Sequence, residues 1–436
     1  MDPSERRVTS DGGEAARMRE DWNRRAREDA HYYVAFGRRN QTGGEFFATA
    51  AEQVNGLEQE LKRLRPRPAR SRRALEIGCG PGRLMLPMSR HFGEIHGVDV
   101  SDEMVARARE NLAAIPHAHA HWAPDSDLAA FASSSFDFLY SYAVFQHIPS
   151  RDVVFGYLNE SWRVLKPSGI LRCQINGLPR SAKTYDTWSG VRISADEVRE
   201  FCREKGFSLL ALEGIETQYM WATLRKGPCW QFARPAEPRI RRITNAQNSE
   251  PAAPVSGPFS SIALQVQGLP QEADIGNLAV EVGGALACTC YLGSPEPDGL
   301  RQLNAYLPPG LPSGLTQVEL RFKGERFCEP VALRLIPAGP AVPRLKSLTD
   351  GVDLLSGTRI VSGTIKATIE EANRPELLRA RIDGIDAVNP DLFRTDPRLP
   401  RHELNFDVPP GAGPGPAEVE ILMGSRLVGR VAVELA

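Results

Sequence analysis

Neither sign of charge is in excess in this chain. Lys and Arg number 53 and Asp and Glu 54 among 436 residues, a net charge of −1. A near-neutral chain has no field to draw it to a nucleic-acid backbone or an anionic membrane. Its one basic cluster, Arg239-Ile240-Arg241-Arg242, is short and has no interleaved aromatics. Long apolar runs are missing too, so nothing reads as a membrane span, and the polar start Met1-Asp2-Pro3-Ser4 is unlike a secretory leader. Seven cysteines (79, 173, 202, 229, 288, 290, 328) are scattered and odd in number. None has zinc-type spacing, and Cys288-x-Cys290 is too sparse for a metal site. No metal is expected, and reduced thiols point to the cytoplasm. Aromatics make up only 7% of the chain, with no Trp after Trp230. That argues against a sugar-binding surface, which needs exposed aromatic faces.

What is present divides into parts, since the length is that of two or three domains. Residues 1 to about 20 are polar and expected to be poorly ordered. Trp22, Ala26, Ala30 and Tyr33 then recur at helical spacing. A stronger stripe, Phe47, Ala50, Val54, Leu57, Leu61 and Leu64, reads as a helix that packs on the next domain or, less simply, on a partner. Tyr32 and Tyr33 read either as a lid or as packing.

Near residue 74 a short apolar run predicts a buried strand. It leads into Glu76-x-Gly78-x-Gly80-x-Gly82 and an apolar helix-like run, 84–88. Strand, glycine turn and helix are the front of a nucleotide-binding βαβ unit, where missing Cβ atoms let a ligand reach main-chain N–H groups. A dinucleotide fingerprint needs a third glycine at 83, which is Arg83. A second strand, 94–100, ends in Asp99, about twenty residues beyond the first glycine, where a carboxylate can accept ribose hydroxyls. Ser101 reads as an N-cap for the helix carrying Met104, Val105, Ala108 and Leu112. A third strand, 117–122, carries His117, His119 and His121 on one face, read as a solvated edge rather than a metal site. Strands near 135–141 and 170–175, a capping box Ser194-x-x-Glu197 and two last strands, 207–212 and 218–224, follow.

Glu76-x-Gly78-x-Gly80-x-Gly82, Asp99, Phe136-Asp137 and Leu165-Lys166-Pro167-x-Gly169, in this order, resemble class I S-adenosylmethionine-dependent methyltransferases of the type 11 or type 12 kind. The resemblance covers roughly residues 70 to 226. It implies an α/β, Rossmann-like sheet, parallel with an antiparallel terminal strand, and S-adenosylmethionine as cofactor. The implied cofactor contacts are Glu76, Gly78, Cys79, Gly80, Gly82, Asp99, Val100, Met104, Asp125, Ser126, Ser141 and Tyr142. Met104 reads as an adenine contact or plain core, and Asp125 competes with Asp127 for the adenine amino group. His147, just past the fourth strand, is the candidate catalytic base or else a packing residue, with Gln146 nearby. Tyr185, Trp188 and Arg192 read as acceptor-pocket walls or as loop packing.

Beyond residue 257 short β-rich runs alternate with Pro/Gly turns, and they repeat. Leu303-Asn304-x-x-Leu307-Pro308-Pro309-Gly310 recurs as Leu404-Asn405-x-x-Val408-Pro409-Pro410-Gly411. Val318-Glu319-Leu320 recurs as Val419-Glu420-Ile421. The offset, about a hundred residues, is the size of one β-sandwich. The turn pattern is similar to Ig-like modules of the IPT kind. The expected organisation is an N-terminal helical segment (1–69), a methyltransferase domain (70–226), a linker (227–257) and two all-β Ig-like sandwiches (258–341 and 342–436). The expected activity is O- or N-methylation of a small-molecule acceptor, with no nucleic acid or membrane partner. The sandwiches would serve self-association or a protein partner. The alternative is a non-catalytic cofactor-binding module whose repeats bind protein or glycan.

Overall fold

The computed structural model describes residues 11–35, 39–124, 127–180, 185–188, 190–230, 236–257, 259–353, 356–396 and 401–436. The first half begins with α1 (Asp11–Val34), α2 (Gly43–Ala48) and α3 (Ala51–Leu61). The alternating part runs β1 (Arg73–Ile77), α4 (Met85–Met88), β2 (Glu94–Asp99), α5 (Asp102–Asn111), β3 (Ala118–Trp122), β4 (Phe136–Ser141), α6 (Arg151–Val164) and β5 (Leu165–Ile175). It closes with α7 (Ala195–Lys205), β6 (Phe207–Glu213) and β7 (Met220–Lys226). The strand order is β3-β2-β1-β4-β5-β7-β6. β1 through β5 are parallel, and β7 lies antiparallel to both β5 and β6. This is the Rossmann-like sheet, parallel with an antiparallel terminal strand, expected from the sequence.

The order of the strands places the site. From β1 the chain winds one way to β2 and β3, then returns to β4 on the other flank. A crevice opens at such a switch point, outside the carboxyl ends of the strands. The central strands are buried on both faces because helices cover both sides. Leu75, Ile77, Phe138, Leu139 and Tyr140 have no measurable exposure.

The N-terminal expectation needs correction. α1 already begins at Asp11, and it breaks at Asp29. The Asp29 carboxylate accepts from Tyr32 N–H (3.0 Å) and Asn40 N–H (2.7 Å), ending one helical run and capping the next. Met18, Ala26 and Ala30 are buried, so the polar residues of this stretch form the outer face of a packed helix.

The linker expectation also fails in part. Residues 239–245 and 252–254 are strands, and 239–245 pairs antiparallel with 261–267. A bulge skips Arg241, pairing Arg242 with Gln265 and Ile240 with Val266. Ile240 and Ile243, three apart, therefore both point inward, and the two-residue alternation of a strand is hidden. One layer here holds strands 239–245, 261–267, 301–306 and 285–292. The facing one holds 278–282, 314–322, 331–336 and 252–254. The core between them is continuous with that under β5, β6 and β7. Tyr291 sits opposite Ala211 of β6, and Ile275 N–H donates to Leu209 O (2.9 Å).

The last hundred residues repeat the plan. Strands 344–350, 364–370, 401–407 and 388–396 face strands 359–360, 426–435, 415–423, 378–382 and 385–386. They enclose a core of their own, with Ile365, Ile369, Phe406, Val419 and Ile421 at its centre.

Candidate functional site

A cavity of about 350 Å³ opens at the switch point between β1 and β4. Its floor is the turn after β1. Gly78 has φ +71°, and a Cβ there would lie 2.3 Å from Val144 Cγ2, so the site needs glycine on both counts. Gly80 has φ +50° and packs under Val34. Glu76, Gly78, Cys79, Gly80, Asp99, Val100, Met104, Tyr142 and His147 all line the cavity.

Two of the expected contacts, Gly82 and Ser141, do not line the cavity. Gly82 turns from the cavity to α5, where a Cβ would lie 3.3 Å from Leu112. Its role is close helix packing. Ser141 is buried, and its hydroxyl donates to Ile77 O (3.0 Å), bracing β4 against β1. Asp125 and Ser126 lie outside the described residues. Asp127 is exposed, and its carboxylate accepts from Ala129 N–H (3.1 Å).

Two carboxylates dominate the electrostatics. Glu76, 3% exposed, is pushed up to about 8 by burial, against the pull of the nearby Tyr140 hydroxyl and Arg83. Glu76 Oε2 and the Tyr140 hydroxyl lie near enough to influence each other, yet neither completes a hydrogen bond. Asp99 is raised to about 6 by burial, although it accepts from Gly80 N–H (2.8 Å) and Ser101 N–H (2.9 Å). Those two bonds fix the carboxylate at the tip of β2 and leave it facing the cavity. Burial pushes the Cys79 thiol well above its usual range, so it stays protonated and is no nucleophile.

His147 stands at the opposite end. Burial, with Arg25 adding, lowers it to about 4, so the ring is neutral at pH 7. Gln146 Nε2 lies 3.3 Å from His147 Nε2. Trp22 meets the ring edge-on at 5.6 Å between centroids, and Trp188 lies at 6.3 Å. Of the three loop candidates, Trp188 thus reaches the His147 end. Arg192 instead donates to Pro179 O (2.7 Å), and Tyr185 packs on the core.

Several site residues escaped the sequence reading. Arg83 is 5% exposed, donates to Thr49 O and Oγ1 (3.1 Å each) and lies over Tyr142. Arg25 lies over Trp22 and Trp188 and donates to Thr187 O (3.2 Å) and Oγ1 (3.0 Å), tying α1 to loop 185–188. Gln53 and Tyr219 complete the rim. The failed dinucleotide spacing was the one signal that marked Arg83. Nothing local marked Arg25.

Four buried polar atoms around the cavity, Glu76 Oε2, Arg83 Nε, Gln146 Oε1 and His147 Nδ1, lack a hydrogen-bond partner in the protein. Buried polar groups are rarely left so, and a cluster of them on one cavity marks a ligand site. Among the described residues no group of three or more His, Cys, Asp or Glu could hold a metal. His119 and His121 pack on His96, and His96 Nδ1 lies 3.0 Å from His121 Nε2. No described helix is long and apolar enough to cross a membrane.

Known proteins share this segment. A ubiquinone biosynthesis O-methyltransferase from Sinorhizobium fredii is 30% identical over 106 residues, 24% of this chain and 42% of that protein. A trans-aconitate 2-methyltransferase from Rhodopseudomonas palustris is 32% identical over 140 residues, 29% of this chain and 49% of that one. The chain thus spans less than half the length of either relative. A solved phosphoethanolamine N-methyltransferase 2 from Haemonchus contortus, in complex with S-adenosylhomocysteine, is 24% identical over 44% of each chain, with a TM-score of 0.33. Residues 75–173, which supply the floor of the cavity and both carboxylates, match the family described as a methyltransferase domain.

Proposed function

We propose that the chain is an S-adenosylmethionine-dependent methyltransferase that acts on a small-molecule acceptor at oxygen or nitrogen. The observation that carries this reading is the pair of carboxylates, Glu76 and Asp99, on neighbouring strand tips beside an open glycine turn. The residues fit the cofactor. Glu76 would hold the ammonium of its methionine end and Arg83 the carboxylate, satisfying two buried atoms that have no partner within the protein. Gly78 and Gly80 leave room for close approach. Asp99 would accept the ribose hydroxyls, and Val100 and Met104 would flank the adenine, with Asp125 and Ser126 assigned to its edge. Bound there, the cofactor supplies a methyl group already activated by a sulfonium.

The chain's own work is binding, orientation, exclusion of water and removal of a proton. Helix α1 lines the cavity, and Trp188 of loop 185–188 lies beside His147. Neutral His147 is the group to take a proton from the acceptor, and Gln146 orients its ring. In this reading the two β modules are Ig-like sandwiches that dock a protein or a second copy, and the enzyme works in the cytoplasm.

Calorimetric titration of S-adenosylmethionine tests the reading. Saturable binding by the wild type is expected, weakened in Asp99→Ala by about 1.5–3 kcal/mol, the worth of hydrogen bonds to a charged group. No binding to the wild type refutes it.

A further inference from the structure

Residues 31–34, the last turn of α1, point in four directions. His31 stacks on Phe46 of α2 at 4.1 Å between centroids. Tyr33 lines the cavity. Val34 lies against the glycine turn, 3.4 Å from where a Cβ of Gly80 would be. Tyr32 does not line the cavity but meets the Tyr33 ring edge-on at 5.1 Å between centroids. It is buried under the Arg39 guanidinium (4.4 Å), and its hydroxyl donates to Val352 O (3.3 Å) in the C-terminal β module.

That carbonyl is held in place by an unusual anchor. Asp350, at the end of strand 344–350, has no exposure. One oxygen accepts from Val352 N–H (2.8 Å) and Asp353 N–H (2.7 Å), the other from Val361 N–H (2.7 Å) and Ser362 N–H (2.8 Å). The matching residue of the first β module is Asn245, which accepts from only two amides and donates to Phe259 O. The carboxylate form of the anchor occurs where the turn meets α1. The same module also comes near the far rim, where Glu403 is within electrostatic reach of Tyr219.

We propose that the C-terminal β module is the latch of the cofactor site: the turn held by Asp350 fixes Tyr32, and Tyr32 positions Tyr33 and Val34 over the cavity. Tyr32 and Asp350 are positioning residues, and the inference rests on the cofactor reading above. Val34 and Tyr33 form part of the cavity wall, so on this proposal a bound ligand leaves faster when their turn is freed. Release therefore depends on a contact made more than three hundred residues away in sequence.

The test uses the full chain and S-adenosylhomocysteine as probe. Its dissociation is followed by stopped-flow tryptophan fluorescence, since Trp22 lines the cavity. Tyr32→Phe removes one hydroxyl and keeps the ring, and release is expected to speed up about fivefold. Asp350→Asn turns an N–H donor toward two amides that need an acceptor, and faster release is again expected. Hydrogen exchange without ligand should rise in residues 30–35 of both variants and stay unchanged in 75–173. Wild-type release rates with unchanged exchange in Tyr32→Phe overturn the latch and leave the cofactor reading intact. Failure of the wild type to bind the probe removes both.

Discussion

Glu76 makes cofactor affinity depend on pH in a way that can be worked out beforehand. In the free protein its carboxyl sits at about 8, so at pH 6 or 7 it is mostly protonated. Holding an ammonium requires the carboxylate, so binding at these pH values must release a proton. Affinity therefore falls as pH drops below 8, by a factor approaching ten per unit. The ligand's own α-amino group titrates near 7.7–8.0, so affinity falls on the alkaline side too. The product of the two titrations gives a maximum near pH 8. Affinity should rise about eightfold from pH 6 to 7 and about twentyfold from pH 6 to 8. Asp99, raised to about 6, steepens the fall at lower pH. Calorimetry in buffers of different ionisation enthalpy counts the released proton directly. Glu76→Gln is the control. Its affinity should lack the rise between pH 6 and 8, so that its deficit against the wild type widens as pH climbs. The free protein must show the opposite trend. A carboxyl raised on folding binds an extra proton in the native state, so stability falls as pH climbs from about 4.5 to 8. Glu76→Gln should remove that fall in thermal unfolding. Equal slopes in wild type and variant between pH 6 and 8 refute the assignment.

The two β modules should differ when deleted. A chain ending at residue 342 keeps the continuous core and should unfold cooperatively in calorimetry, whereas one ending at 240 exposes the β6 flank and should be insoluble. Gly78→Ala forces a Cβ into Val144 at a left-handed backbone angle, and about 1–3 kcal/mol of stability should be lost in denaturant titration, together with cofactor binding. Once an acceptor is found, His147→Ala should lower kcat by about 10²–10⁴ while cofactor affinity changes little. An unchanged kcat would return His147 to a packing role.

Legibility followed the range of the interactions. Glu76, Gly78, Gly80 and Asp99 could be read because one strand, one turn and the next strand tip bring them together within a short stretch of chain. The sheet could be read for the same reason, since each βα step is local. Arg25 could not be found, because its partner Thr187 lies 162 residues away and only the closed fold joins them. Strand 239–245 was hidden by its bulge, and Gly82 and Ser141 were assigned to the ligand through the family resemblance, whereas the contacts they make in the fold serve packing. Arg83 sits in a motif position where the family resemblance drew attention to the glycines around it.

The pairing of β6 with the first β module has a consequence for assembly. A bare sheet margin offers its amides and carbonyls to any passing strand. Here the β6 margin is occupied from within the same polypeptide, through Ala211 and Leu209. The opposite margin, β3, is five residues long and carries the half-exposed Trp122. Two copies cannot lengthen this sheet by joining at β6, so any growth of it across molecules has to start from that short, bulky end.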